Sequence, residues 1–112
     1  MSKLDKSPIR TKSFQFACDI VKYCDKLKND KDFELASQLL RSGTSIGANT
    51  REAQRAVSTK DFKYKFSIAL KEADETKYWL QILKATGRKV PEEMMNNCEE
   101  LIKILVSIIK NS

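Results

Sequence analysis

The residues of this 112-residue chain that are equipped for chemistry are few. Glu72 and Glu75 stand three apart, as paired carboxylates do in helical di-metal sites, and Arg41, Arg51 and Arg55 lie upstream with Asn49 and Glu52 among them. Di-metal bundles also draw a Glu-x-x-His motif from two of their helices, and this chain has no histidine. The same absence removes the usual general base near neutral pH, the Ser-His-Asp and Cys-His nucleophile systems, and the commonest metal ligand. Cysteine offers no replacement. Cys18 and Cys24 are turned about 240° from one another on a helix, and with Cys98 they make an odd count, the usage of buried thiols in a reducing compartment. The expectation is a protein with no catalytic residue, metal, cofactor or small-molecule substrate. Arg41, Asn49, Glu52, Glu72 and Glu75 are then a structural polar cluster that fixes the register of two helices.

A second chemistry is electrostatic. Lys and Arg number 21 against 15 Asp and Glu, a formal charge of +6. Lys60-Asp61-Phe62-Lys63-Tyr64-Lys65-Phe66 interleaves bases and aromatics, the composition used for stacking and phosphate contact on nucleic acids. On a helix Phe62 and Phe66 fall on the buried stripe, leaving Lys60, Lys63 and Tyr64 outside, and Asp61 can pair with Lys65 one turn on. An ordinary solvated face has the same composition. The last helix holds Glu92, Glu93, Glu99 and Glu100 against Lys103 and Lys110, so the positive surplus lies on the rest of the chain. Arg51, Arg55, Lys60, Lys63, Lys84, Arg88 and Lys89, with the basic N-terminus, are the candidates for contact with RNA or DNA. The sequence does not place them on one face.

These residues must be positioned by helices. The length allows one domain, and with 41% hydrophobic and 32% charged residues, three Gly and two Pro, the composition is that of a helix-rich globular chain. Residues 1–12 read as a basic flexible arm and 13–112 as the bundle. Ser13 can cap a first helix whose stripe is Ala17, Ile20, Val21, Cys24 and Leu27, ending near Lys28. Asp32 opens a second helix over 33–56. Its centre, Ser42-Gly43-Thr44-Ser45-Ile46-Gly47-Ala48-Asn49-Thr50, is a run of poor helix formers, yet the apolar phase set by Leu35 and Leu39 is kept at Ile46 and Ala53, as an unbroken helix requires. The small residues then allow close approach of a neighbouring helix at Gly43 and Gly47. Ser58-Thr59-Lys60-Asp61 is a capping-box variant that opens a third helix, with Phe62, Phe66, Ala69, Ala73, Leu80 and Leu83 inward. Thr86-Gly87 stops it, and Pro91 at the first helical position begins a fourth, over about 91–110. Short connections between four helices predict an all-α, antiparallel up-down-up-down four-helix bundle. No segment has a signal-peptide core or the roughly 20 apolar residues of a membrane span, so the expected location is cytoplasmic, without membrane contact.

Two helices carry more apolar surface than a monomer needs. Leu101, Ile102, Ile104, Leu105, Val106, Ile108 and Ile109 spread over roughly 200° of the fourth helix, against a stripe a little over 100° wide in a typical bundle. Phe14, Phe16 and Tyr23 flank the stripe of the first. Phe14, Phe16, Tyr23, Ile102, Ile104, Val106 and Ile109 are therefore candidates for a homo-oligomer interface.

At Leu40-Arg41-Ser42-Gly43-Thr44-Ser45-Ile46-Gly47-Ala48-Asn49, followed by Glu52-Ala53, the chain resembles the four-helix bundle family of 23S rRNA intervening-sequence proteins. Ser67-Ile68-Ala69-Leu70-Lys71-Glu72-Ala73, continued by Glu75-Thr76-Lys77-Tyr78-Trp79-Leu80, and Ser13-Phe14-Gln15-Phe16-Ala17 extend the likeness over residues 13–86, with the fourth helix similar only in pattern. Thr50-Arg51 departs from the apolar residue followed by Ala or Glu that many relatives carry there, adding charge beside Glu52. The resemblance implies that the small-residue run is helical and that Arg41, Asn49, Glu52, Glu72 and Glu75 form the family's polar set. It also brings in the related accessory variability proteins of diversity-generating retroelements, which form homopentameric barrels with a basic surface for nucleic acid and a reverse transcriptase. By that likeness the expected partners are copies of this chain, RNA or DNA, or a reverse transcriptase. The rRNA name describes where some of the genes lie and implies no ribosomal role.

Overall fold

The computed structural model describes residues 8–112. Four helices follow one another, α1 (Pro8–Asn29), α2 (Phe33–Gln54), α3 (Thr59–Ala85) and α4 (Glu92–Lys110), in a body of 43 × 20 × 20 Å. Neighbours run antiparallel. Arg10 reaches Gln54 and Cys24 reaches Ala36 between α1 and α2, while Glu52 meets Lys65 and Ser42 meets Thr76 between α2 and α3. Lys77 meets Glu99 between α3 and α4, and Lys12 meets Glu100 to close the ring between α1 and α4. The expected up-down-up-down bundle is the fold.

The first helix starts earlier than its capping residue suggested. Pro8 fits a first turn, where its missing N–H costs no bond, and Ile9 one step on is fully buried. Ser13 lies inside the helix, its hydroxyl donating to the Arg10 carbonyl. Residues 8–12, expected in the arm, therefore belong to α1, and residues 1–7 of that arm lie outside the described residues. The inward face of α1 is also turned from the expected stripe. Phe16 and Tyr23 are buried with Ile20, Cys24 and Leu27, while Val21 is exposed and Ala17 half-buried. Two aromatics seven apart bury more area than Ala and Val at the neighbouring positions, and the helix rotates to suit them.

α2 runs unbroken through the small-residue segment. Its hydroxyls bond back along the helix, Thr44 to the Leu40 carbonyl at 2.8 Å and Thr50 to Ile46 at 2.9 Å, so they compete little with the backbone ladder. A Cβ on Gly43 would lie 2.9 Å from Cγ2 of Ile20, and one on Gly47 3.4 Å from the Ser13 carbonyl oxygen. Close approach of α1 comes at Gly43, whereas at Gly47 a Cβ would make only ordinary contact.

At the head of α3 the Ser58 hydroxyl accepts from the Asp61 N–H at 3.0 Å, and the Asp61 carboxylate accepts in return from the Val57 N–H at 3.3 Å, one residue outside the cap. With Asp61 so engaged, Lys65 pairs with Glu52 at 2.8 Å and not with Asp61. Gly87 leaves α3 at φ +93, and Pro91 caps α4, which begins at Glu92. The turn before α2 holds Lys31 at φ 65, next to Asp32, whose carboxylate takes two bonds from the Arg88 guanidinium, at 2.6 and 3.1 Å. That pair clasps the α1–α2 turn to the α3–α4 connection.

Candidate nucleic-acid interface and the polar seam

Along the seam between α2 and α3, Arg41 extends one nitrogen to Glu72 at 3.2 Å and the other to Glu75. The same Glu75 oxygen accepts from the Trp79 indole N–H at 3.1 Å. Beneath them the Ser42 and Thr76 hydroxyls meet at 2.9 Å in the interior. Arg41, Glu72 and Glu75 thus come together as the sequence anticipated, and Trp79 joins them from one turn beyond Glu75. Asn49 and Glu52 do not. Asn49 donates to the Ser45 carbonyl of its own helix at 2.8 Å, and Glu52 is held by Lys65, whose pKa is raised by that bond. Arg51 and Arg55 also stay apart from Glu72 and Glu75, for Arg51 lies over the Phe14 ring at 5.6 Å. The two carboxylates are committed to a guanidinium and an indole, an arrangement that fixes helix register. Among the described residues no group of three or more His, Cys, Asp or Glu is placed to hold a metal ion.

The thiols are equally committed. Burial pushes Cys24 up to about 11 and Cys98 up to about 12, so both stay protonated and poorly nucleophilic at neutral pH. Each donates weakly to a carbonyl of a neighbouring helix, Cys24 to Ala36 and Cys98 to Ala73.

The seven basic candidates separate into two groups. Arg51, Arg55, Lys60 and Lys63 surround the α2–α3 turn, whereas Lys84, Arg88 and Lys89 sit at the opposite end, about 36 Å away along α3. Arg88 is taken up by Asp32, whose carboxyl it holds below the usual range. The end with the α2–α3 turn gathers more cations than the sequence alone assigned to it. Residues 8–18, 44–71 and 100–112 make up that half, with Arg10, Lys12, Arg51, Arg55, Lys60, Lys63, Lys65, Lys71, Lys103 and Lys110 against Glu52, Asp61 and Glu100. The other half of the described residues holds more acids than bases. The bundle is therefore charged like a rod with one positive end.

Of the apolar interface candidates, Phe16 and Tyr23 are core residues. Tyr23 also donates to the Lys89 carbonyl at 3.1 Å, so neither is available to a partner. Ile102, Ile104 and Ile109 are half-buried against the core, because the wide apolar face of α4 reaches towards α3 on one side and α1 on the other. Val106 remains 46% and Phe14 57% exposed. Phe14 rims an outer groove of about 270 Å³ between α1 and α2, floored by Ala17, Gly47 and Ala48. Phe33, Val57, Tyr64 and Tyr78 are further exposed apolar or aromatic residues outside the candidate set.

A family model described as 23S rRNA-intervening sequence protein matches residues 5–109. The chain belongs to that family. It is also similar to a crystal structure of a protein of unknown function, from the S23 ribosomal protein family of Bacteroides thetaiotaomicron. The two share 47% identity over 91% of this chain and 98% of that one, with a TM-score of 0.88. A comparison with curated proteins finds no relative. The family match leaves the activity open. No helix among the described residues is long and apolar enough to cross a membrane.

Proposed function

We propose that this member of the 23S rRNA-intervening sequence family is a non-enzymatic, cytoplasmic bundle that assembles into a ring-like homo-oligomer and binds nucleic acid, or an enzyme that acts on it, through its positive end. The observation that carries this reading is the concentration of cations around the α2–α3 turn, among which Arg55, Lys60, Lys63, Lys71, Lys103 and Lys110 have no ion-pair partner among the described residues. Unpaired cations clustered at one end release counterions when they meet phosphates, whereas paired ones must first give up a partner. Self-assembly is supported by Phe14, Val21 and Phe33 exposed on α1 and α2 and by Val106 on α4. They belong to three helices, and a head-to-tail contact between unlike surfaces of successive copies is the kind that can close into a ring. Five subunits is the number that the resemblance to the retroelement accessory proteins suggests.

Titration of the purified protein with RNA and with DNA at several salt concentrations tests the binding. Affinity that falls steeply with salt, and a slope that flattens in Lys60→Gln/Lys63→Gln but not in Lys84→Gln/Lys89→Gln, supports it. Absent or salt-insensitive binding leaves instead a protein–protein scaffold with incidental charge, the reading favoured by the exposed apolar row alone. Light scattering that returns a 12.8 kDa particle removes the assembly.

A further inference from the structure

The outward face of α3 carries an arrangement that phosphate binding alone does not use. Tyr64 and Tyr78 are 62% and 57% exposed. Their spacing sets them about 21 Å apart along the helix axis and within about 40° around it. Lys60, Lys63, Ser67 and Lys71 are exposed on the same face, and the three lysines form no ion pair among the described residues. Lys65, a step round the helix, is by contrast tied to Glu52. The Tyr78 ring leans on Trp79, with centroids 5.5 Å apart, and the Trp79 indole is itself fixed by Glu75. The ring thus has a fixed neighbour on one side and is more than half exposed. Asp74 is the exposed acid of this face and lies beside Tyr78, so the lysine-rich stretch from Lys60 to Lys71 is where a phosphate chain is drawn most strongly.

We infer that this face of α3 is a stacking platform that selects single-stranded over duplex nucleic acid. The inference rests on the nucleic-acid reading above and adds the class of strand. An unpaired strand can lay bases on the rings of Tyr64 and Tyr78 while its phosphates meet Lys60, Lys63 and Lys71. A duplex keeps its base faces stacked internally and can use only the lysines. Base–aromatic stacking tolerates any base, since each offers a π-face, so the selection is for strandedness and not for sequence.

The test is fluorescence anisotropy with a labelled oligo(dT) of about 20 nucleotides and with its duplex, at matched salt. The single strand is expected to bind more tightly than the duplex. Tyr64→Ala should weaken single-strand binding about tenfold while leaving duplex binding and both salt slopes unchanged, and Tyr64→Trp should keep the affinity. Lys60→Gln/Lys63→Gln should weaken both probes and flatten both slopes. Because Tyr64 is exposed, unchanged thermal unfolding of Tyr64→Ala is the expected control. If Tyr64→Ala leaves single-strand binding unaltered, or weakens both probes equally, the platform is refuted while the basic end stands. If neither probe binds, the nucleic-acid reading falls and takes the platform with it.

Discussion

α2 closes against its two neighbours by different means. Towards α1 it offers Gly43, and the seam shuts there by shape, with Ile20 seated on the glycine. Towards α3 it offers Arg41, Ser42 and Glu52, and the seam shuts by charge and hydrogen bonds to Glu72, Glu75, Thr76 and Lys65. The two differ in tolerance. A steric fit fails abruptly when volume is added, because packed interiors have no slack. An ionic seam whose arginine is half in water loses only a screened interaction, together with whatever its removal leaves unpaired. One helix thus carries a strict face and a forgiving one.

The difference can be broken most directly at Gly43. Gly43→Val adds methyls beyond a Cβ that already meets Ile20 at 2.9 Å, and chemical denaturation should show a loss of about 3 kcal/mol or more, typical of severe overpacking. On the other seam Arg41→Ala leaves Glu72, whose side chain is 11% exposed, without its cation. The expected loss is about 1–2 kcal/mol, with Arg41→Lys intermediate because a point charge cannot serve both carboxylates at once. If Arg41→Ala costs more than Gly43→Val, the ranking of the seams is wrong. Gly47→Ala sharpens the comparison by reversing its sign. A Cβ there meets Ser13 at an ordinary 3.4 Å, so the gain in helix propensity should raise stability by about 0.5 kcal/mol.

The smallest effect belongs to the Asp32–Arg88 clasp, and its dependence on pH identifies it. Arg88 lowers the Asp32 pKa in the folded state, so the clasp contributes fully above the unfolded carboxyl value of about 3.9 and is lost as pH falls through the lower folded value. Comparison of thermal midpoints between the natural chain and Arg88→Gln from neutral pH downwards should show a gap that narrows below about pH 4. A gap of constant size would mean that Arg88 acts by packing and not by charge.

Much of the architecture was legible in the residues. The phase shared by Leu39, Ile46 and Ala53 identified α2 as one helix against the propensity of Ser42 to Thr50, because periodic burial outweighs per-residue preference. Arg41, Glu72 and Glu75 were legible too, as charges at helical spacing on consecutive antiparallel helices. The inward face of α1 was not, since Phe14, Phe16, Ala17, Val21 and Tyr23 offer apolar residues nearly all round and only the packed neighbours select among them. The Asp32–Arg88 clasp joins residues 56 apart in the chain, in two connections that have no period to read. The division of the basic candidates between two ends follows from the alternating helix directions, which become definite once the four pairings are known.

The two buried thiols allow the opening of two helix pairs, α1–α2 and α3–α4, to be timed. Cys24 lies under the Ala36 carbonyl between α1 and α2, and Cys98 under the Ala73 carbonyl between α4 and α3. Each is sealed from a thiol reagent until its own helix pair parts, while the half-buried Cys18 serves as an internal reference. Labelling rates of the natural chain therefore report how often each pair breathes, without an introduced probe, and rank local opening free energies across the molecule.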